Sequence, residues 1–284
     1  VVFSFFSRKN YFLKANFTQK MRVAANLTMM YTDVPLLSRF EKKLCRYVRA
    51  AADGFKLVEV ALPYSEKAED LKKAADYNGL KHVLINAVPG NWEGGQRGIA
   101  ALSSEKNRFK ESIDTSIHYA KTLQCKKVHV MAGVPTGSDL VSAATVFVVN
   151  IGYAAEKLRE NGLECLIEPI CPAAVPGYHL NSYEQAHEIM SVINAPNLFI
   201  QFDLFHAAQL ANLSPMDVTK WKDSIGHIQV AQVPARGEPD TEGTVDYGEW
   251  FEWMKSSGKD WVIGCEYKPV TKSVEWVKKY GLDF

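Results

Sequence analysis

One regularity constrains the fold of this chain more than any other. Short β-rich runs alternate with longer amphipathic stretches, eight times over, between Met21 and the C-terminus. The β-rich runs are RVAANLT (22–28), LVEVAL (57–62), HVLINAV (82–88) and KVHVMAG (127–133). CLIEPI (165–170), LFIQFDL (198–204), HIQVAQV (227–233) and WVIGCEY (261–267) follow. They are apolar on both faces, the pattern of strands covered by helices rather than of a sheet with one wet side. The stretches between them, such as LLSRFEKKLCRYVRAAAD (36–53) and SEKNRFKESIDTSIHYAKTLQ (104–124), are helical in period. In the second, Phe109, Ile113, Ile117, Ala120 and Leu123 recur at the spacing of one helix face.

Strand–helix units in series imply parallel strands joined by right-handed crossovers. Eight units in about 260 residues fit a closed (β/α)8 barrel, an α/β TIM barrel, better than an open doubly wound sheet. No Pro/Gly/Ser linker interrupts the pattern, so residues 21–284 read as a single domain. Residues 1–20 stand apart: they carry Arg8, Lys9, Lys14 and Lys20, and no acid precedes Asp33. They read as a basic extension upstream of a natural start at Met21, or as a mitochondrial targeting segment, and are set aside from the fold.

Composition narrows the partners. A formal net charge of +1 argues against a protein built mainly to hold nucleic acid or anionic lipid. No apolar run approaches the roughly 20 residues that span a bilayer. Cys45, Cys125, Cys165, Cys171 and Cys265 show no C-x-x-C spacing and read as reduced, buried thiols of a cytosolic or organellar protein. Neither nucleic acid nor a membrane is expected as a partner, and a homo-oligomer is left open.

In a barrel of this type the chemistry sits at the C-terminal ends of the strands, so the strands that end in polar residues matter most. The fifth ends on Glu168, the sixth on Asp203 with His206 three residues on, and the eighth on Glu266. The seventh carries His227 and Gln229 on one side by period-two alternation. A helix cap or a surface charge explains any one of these acids, and is the reading for Asp33 and Glu59. It explains four consecutive strands poorly. Oxygen-rich groups of this kind suit a divalent cation such as Mg²⁺ or Mn²⁺. His129, midway along the fourth strand, reads as structural, and His82 lies too far toward the N-terminal side for chemistry. The glycine-rich PGNWEGGQRGIAAL (89–102) lacks the ending of a phosphate loop. It reads as a lid, with Trp92 excluding water and Arg97 holding an anion, or as plain loop. No G-x-G-x-x-G follows a strand, and no nucleotide cofactor is expected.

The stretches AANLTMMYTDVP, PGNWEGGQRGIAAL, HVMAG, LIEPI, VPGYHLN, QFDLFH, GHIQVAQVP and GCEYKP run in order through all eight units. On these the chain resembles the hydroxypyruvate isomerase family, of the animal-type branch, within the xylose-isomerase-like TIM barrels. The resemblance implies interconversion of hydroxypyruvate and 2-hydroxy-3-oxopropanoate (tartronate semialdehyde) through an enediolate. It assigns Glu168 and Glu266 as proton donor and acceptor, and Glu168, Asp203, Gln229 and Glu266 as metal ligands. His206, His227, Arg97 and Lys268 are the candidates for holding substrate. The stretch VAQVPARGEPDTEGTVD departs from the bacterial pattern: Gln232, Gly237 and Thr244 replace an aspartate, a histidine and a glutamate. That departure bears on substrate specificity. Two other readings keep a place: a sugar or inositol epimerase of the same superfamily, and a non-catalytic descendant that binds a small acid.

Overall fold

Eight parallel strands close on themselves in sequence order, with β8 returning to pair with β1. They are β1 (Arg22–Asn26), β2 (Leu57–Val60), β3 (Lys81–Asn86), β4 (Lys127–His129), β5 (Glu164–Ile167), β6 (Leu198–Asp203), β7 (Ile225–Gln229) and β8 (Val262–Cys265). The computed structural model describes residues 21–37, 44–211 and 213–284; the basic extension 1–20 lies outside them. All eight expected strands are present, but each stops one to four residues before its sequence pattern does. The trailing residues leave the ladder and turn over the rim. That is why Glu168 and Glu266 fall just past strand ends rather than within strands.

Among the described residues the helices are α1 (Arg46–Ala52), α2 (Ala68–Tyr77), α3 (Lys106–Leu123), α4 (Asp139–Glu160) and α5 (Tyr183–Ile193). After β6 come α6 (Leu204–Leu210), α7 (Pro215–Thr219), α8 (Tyr247–Ser256) and α9 (Glu275–Lys279). On α3 the expected stripe of Phe109, Ile113, Ile117, Ala120 and Leu123 is buried against the barrel. The pattern over 36–53 forms helix only across α1, and residues 38–43 lie outside the described set. None of these helices is long and apolar enough to cross a membrane. All five cysteines are buried and unpaired, as their spacing implies.

Inside the barrel, residues two apart on a strand share the interior. At the N-terminal end Ala24, Leu57, Val83 and Val262 form a small apolar plug. The opposite end is polar. Carboxylates, carboxamides and imidazoles stack there in layers that aliphatic side chains fill in a purely structural barrel.

Candidate active site

The alternation that puts Leu57 in the plug puts Glu59 above it. In the same way Gln201 and Asp203 share one face of β6, and His227 and Gln229 one face of β7. Glu168 continues the inward face of Leu166, and Glu266 that of Gly264. Strand pairing aligns Asp203 with Gln229, and Gln229 with Gly264, so the polar rows form adjacent rungs. Four strands whose ends read separately as acids or amides thus converge on one mouth.

The upper rung is short of partners. Asp203 caps α6 through one oxygen, which accepts from the Phe205 amide at 2.9 Å. The cap reading is therefore true of half its carboxylate. Its other oxygen, Oδ2, is buried with no hydrogen-bond partner among the described residues, and so is Glu168 Oε1. Glu168 Oε2 lies 3.5 Å from His129 Nδ1. Glu266 Oε2 accepts from Arg236 Nη2 at 2.7 Å, and the same nitrogen stands 3.6 Å from Asp203 Oδ2. One ligand atom each from Glu168, Asp203 and His206 lies within 4.8 Å of the others. Buried, unpartnered carboxylate oxygens at that spacing are what a hard divalent cation takes.

His206 is better suited to donate than to ligate. Its Nδ1 faces the Cys171 amide N–H at 3.4 Å, and an amide N–H can only donate. The ring proton therefore sits on Nε2, which faces Asp203 Oδ2 at 3.6 Å. Burial pushes His206 down to about 4, with Asp203 raising it and Arg236 lowering it, so the ring is neutral. Gln229 is fixed from below: its Nε2 donates to Glu59 Oε1 at 2.8 Å, and its Oε1 accepts from Gln201 Nε2 at 2.7 Å. A carboxamide oxygen has two lone pairs, so Oε1 keeps one for a cation.

Burial raises Glu168 well above the usual carboxylate range, and the nearby charges of Glu266 and Asp203 raise it further. Burial also lifts Glu266, to about 8; Arg236 works against the rise, while Asp203 and Glu59 add to it. Three carboxylates with one arginine cannot all hold charge comfortably in so dry a place. For Arg236 itself burial disfavours the charge, and Glu266, Asp203 and Glu168 more than offset it.

Glu59 corrects the sequence reading. It is neither a cap nor a surface charge but 1% exposed, at the centre of the barrel. It accepts from Asn26 Nδ2 at 2.7 Å and Gln229 Nε2 at 2.8 Å, and it meets His227 Nε2 at 2.8 Å. A Cβ on Gly264 would collide with its carboxylate, so the glycine of GCEY makes room for it. Asp33 is the surface charge it resembled, with its side chain 60% exposed beside Arg49.

The other candidates fall out as follows. His227 is completely buried and spent on Glu59. Arg97 is turned onto its own loop: it donates to the Trp92 and Gln96 carbonyls and stacks 4.1 Å over the Trp92 ring. Lys268 is exposed, its amide bonded to the Arg236 carbonyl at 2.8 Å. His82, as its position implies, sits at the start of β3 against the Tyr47 hydroxyl, 2.8 Å away. His129 is the last residue of β4, not its middle, and lies beside Glu168. Sequence reasoning passed over Gln201 and Arg236. For Gln201 a signal existed, since it lies two residues before Asp203 on the same face.

A closed (β/α)8 barrel with an acidic pocket at its C-terminal rim is the class of protein that fold and site define. Residues 47–280 match the family described as xylose isomerase-like TIM barrel, and the chain belongs to that family. A Caenorhabditis elegans protein provisionally named hydroxypyruvate isomerase is 50% identical over 264 residues, 93% of this chain and 98% of its own length. The Escherichia coli hydroxypyruvate isomerase is 35% identical, covering 92% of this chain and 99% of its own. A crystal structure from Brucella melitensis, described as an AP endonuclease of family 2, superposes with a TM-score of 0.85 at 34% identity. It covers 92% of this chain and 99% of its own.

Proposed function

We propose that the protein is a hydroxypyruvate isomerase that interconverts hydroxypyruvate and tartronate semialdehyde by proton transfer through an enediolate. The observation that carries this reading is the pairing of Glu168 and Glu266 around Asp203 at one mouth, in a chain whose full-length relatives carry isomerase names. The hydrogen on C3 of hydroxypyruvate is acidified by the neighbouring carbonyl. One glutamate removes it, the electron pair moves into a C2–C3 double bond, and the C2 carbonyl becomes an enediolate oxygen. Return of a proton to C2 from the other glutamate, with the C3 hydroxyl proton passing to the C2 oxygen, completes the aldehyde and the C2 hydroxyl. Carboxylates held in fixed positions supply such steps with about 10²–10⁴-fold acceleration each. His206, with its proton on Nε2, donates to a substrate oxygen, and the Cys171 amide, donating to Nδ1, holds that imidazole in line.

A divalent cation would be held by Glu168, Asp203, Gln229 and Glu266, the unmet oxygens of Glu168 and Asp203 supporting this, and would supply charge stabilisation for the enediolate. Mg²⁺ and Mn²⁺ both suit such oxygen ligands. The five buried thiols suit a reducing compartment such as the cytosol.

The test is a coupled assay: purified protein, hydroxypyruvate and Mg²⁺ or Mn²⁺, with tartronate semialdehyde consumed by a reductase. Turnover is expected, and Glu266→Gln should reduce it about 10³-fold while folding normally. Full activity in that variant removes the proposed mechanism. A wild type inert toward hydroxypyruvate but active on a ketohexose supports the epimerase reading instead.

A further inference from the structure

The stretch of chain between β7 and α8 departs most from the related pattern, and it is also the best braced. Gln232, where an aspartate was expected, is buried and bonded to backbone only. Its Oε1 accepts from the Val233 and Val245 amides at 3.0 and 2.9 Å, and its Nε2 donates to the Val245 carbonyl at 3.0 Å. Gly243 leaves room for it, since a Cβ there would collide with the Gln232 side chain. Glu238, completely buried, accepts from the amides of Val270, Thr271 and Lys272 and from the Thr271 hydroxyl, all within 3.1 Å. The segment is thus pinned to itself and to the chain after β8.

What it presents is Arg236. The residue holds a left-handed backbone at φ 55°, a conformation costly for a side chain of this size. Its amide donates to the Gln232 carbonyl at 2.7 Å, and its carbonyl accepts from the Lys268 amide at 2.8 Å. From there the guanidinium enters the mouth. Nε and Nη2 both donate to Glu266, to its carbonyl at 3.3 Å and its carboxylate at 2.7 Å. The plane lies over Phe205, with 4.6 Å from guanidinium carbon to ring centre. Nη1 has no partner among the described residues, and the side chain is 21% exposed. One edge of the fork is anchored, and the other is open.

We propose that Arg236 binds the carboxylate of the substrate through this open edge. The site is thereby restricted to 3-hydroxy-2-oxo acids and discriminates against neutral ketoses of the same shape. The inference rests on the isomerase reading and names its substrate class. An arginine fork fits a carboxylate with two parallel hydrogen bonds, which a lysine cannot reproduce. The same guanidinium that holds the carboxylate also holds Glu266. The carbons one and two bonds from that carboxylate are C2 and C3, the two that exchange the proton. One planar group therefore sets substrate and acid–base residue in register. Arg97 is committed to its own loop, and Lys268 is exposed, so neither offers a comparable edge.

The experiment compares hydroxypyruvate with dihydroxyacetone, in which a CH₂OH replaces the carboxylate, and measures binding of pyruvate and hydroxyacetone by calorimetry. Wild type should prefer hydroxypyruvate in kcat/KM by about 10³-fold. In Arg236→Gln that preference should collapse to within about tenfold, and pyruvate should bind about 30- to 100-fold more weakly. Arg236→Lys, which keeps the charge beside Glu266 but not the fork, should lie between. An unchanged preference in Arg236→Gln, or its loss in Arg97→Gln or Lys268→Met instead, overturns the proposal. So does a wild type that binds pyruvate and hydroxyacetone equally, a result that needs no variant. Failure of wild type to turn over hydroxypyruvate removes the isomerase reading separately, and the pyruvate measurement still decides the anchor.

Discussion

Glu59 and the rim carboxylates occupy the same barrel, a layer apart, and are opposites in hydrogen bonding. Glu59 meets Asn26, Gln229 and His227 and is completely enclosed. Glu168 and Asp203 are as deeply buried, yet each keeps an oxygen with no partner among the described residues. A buried carboxylate is costly unless its lone pairs are met, so the first arrangement spends its polarity on architecture. The second leaves it available to a ligand. Burial alone does not mark a functional acid; burial with unmet lone pairs does.

Exchange of each type for its neutral isostere separates the two most sharply. Glu168→Gln should lower hydroxypyruvate turnover about 10³-fold. Its urea-unfolding free energy should stay equal or rise, because one of three crowded acids is gone. Glu59→Gln should instead lose about 3 kcal/mol of unfolding free energy, since its new NH₂ faces groups that were donating to it. If Glu59→Gln unfolds like wild type while Glu168→Gln is destabilised, the comparison is reversed.

A smaller effect belongs to the N-terminal end of the barrel. Burial lowers His82 to about 4, away from the usual 6.5, and its Nε2 is satisfied by Tyr47. Between those values the unfolded chain takes up a proton that the folded one refuses, so stability falls as pH drops from about 7 toward 4. From pH 7 to 5 this residue should remove about 2 kcal/mol. Urea melts at both pH values should show a shallower decline in His82→Gln. An equal decline in the two proteins places the acid sensitivity elsewhere.

Much of this molecule is legible in its sequence, for reasons that also mark where legibility stops. The strands read because consecutive apolar residues in LVEVAL or HVLINAV leave little alternative to a doubly covered sheet. Their ends read less well: LIEPI and GCEY look continuous, but the ladder closes at Ile167 and Cys265 and the acids fall beyond it. Glu168, Asp203, Gln229 and Glu266 converge because strand ends in a barrel must. The partners of Glu59 come from two other strands, β1 and β7, 33 to 170 residues away, and no local pattern announces them. Arg236 was hidden differently. It sits in a stretch whose departures from the bacterial pattern bear on substrate specificity without naming a residue, and only its left-handed backbone and the Gln232 and Glu238 braces carry it back to the mouth.

The central claim is that the glutamates move a proton rather than steer a hydride. It is tested most directly by running the reaction in D₂O and following C2 of tartronate semialdehyde by proton NMR. The enediolate account predicts deuterium at C2 of the product, and loss of that exchange in Glu168→Gln and Glu266→Gln. Complete retention of the substrate's own C3 hydrogen at C2, turnover after turnover, would contradict it.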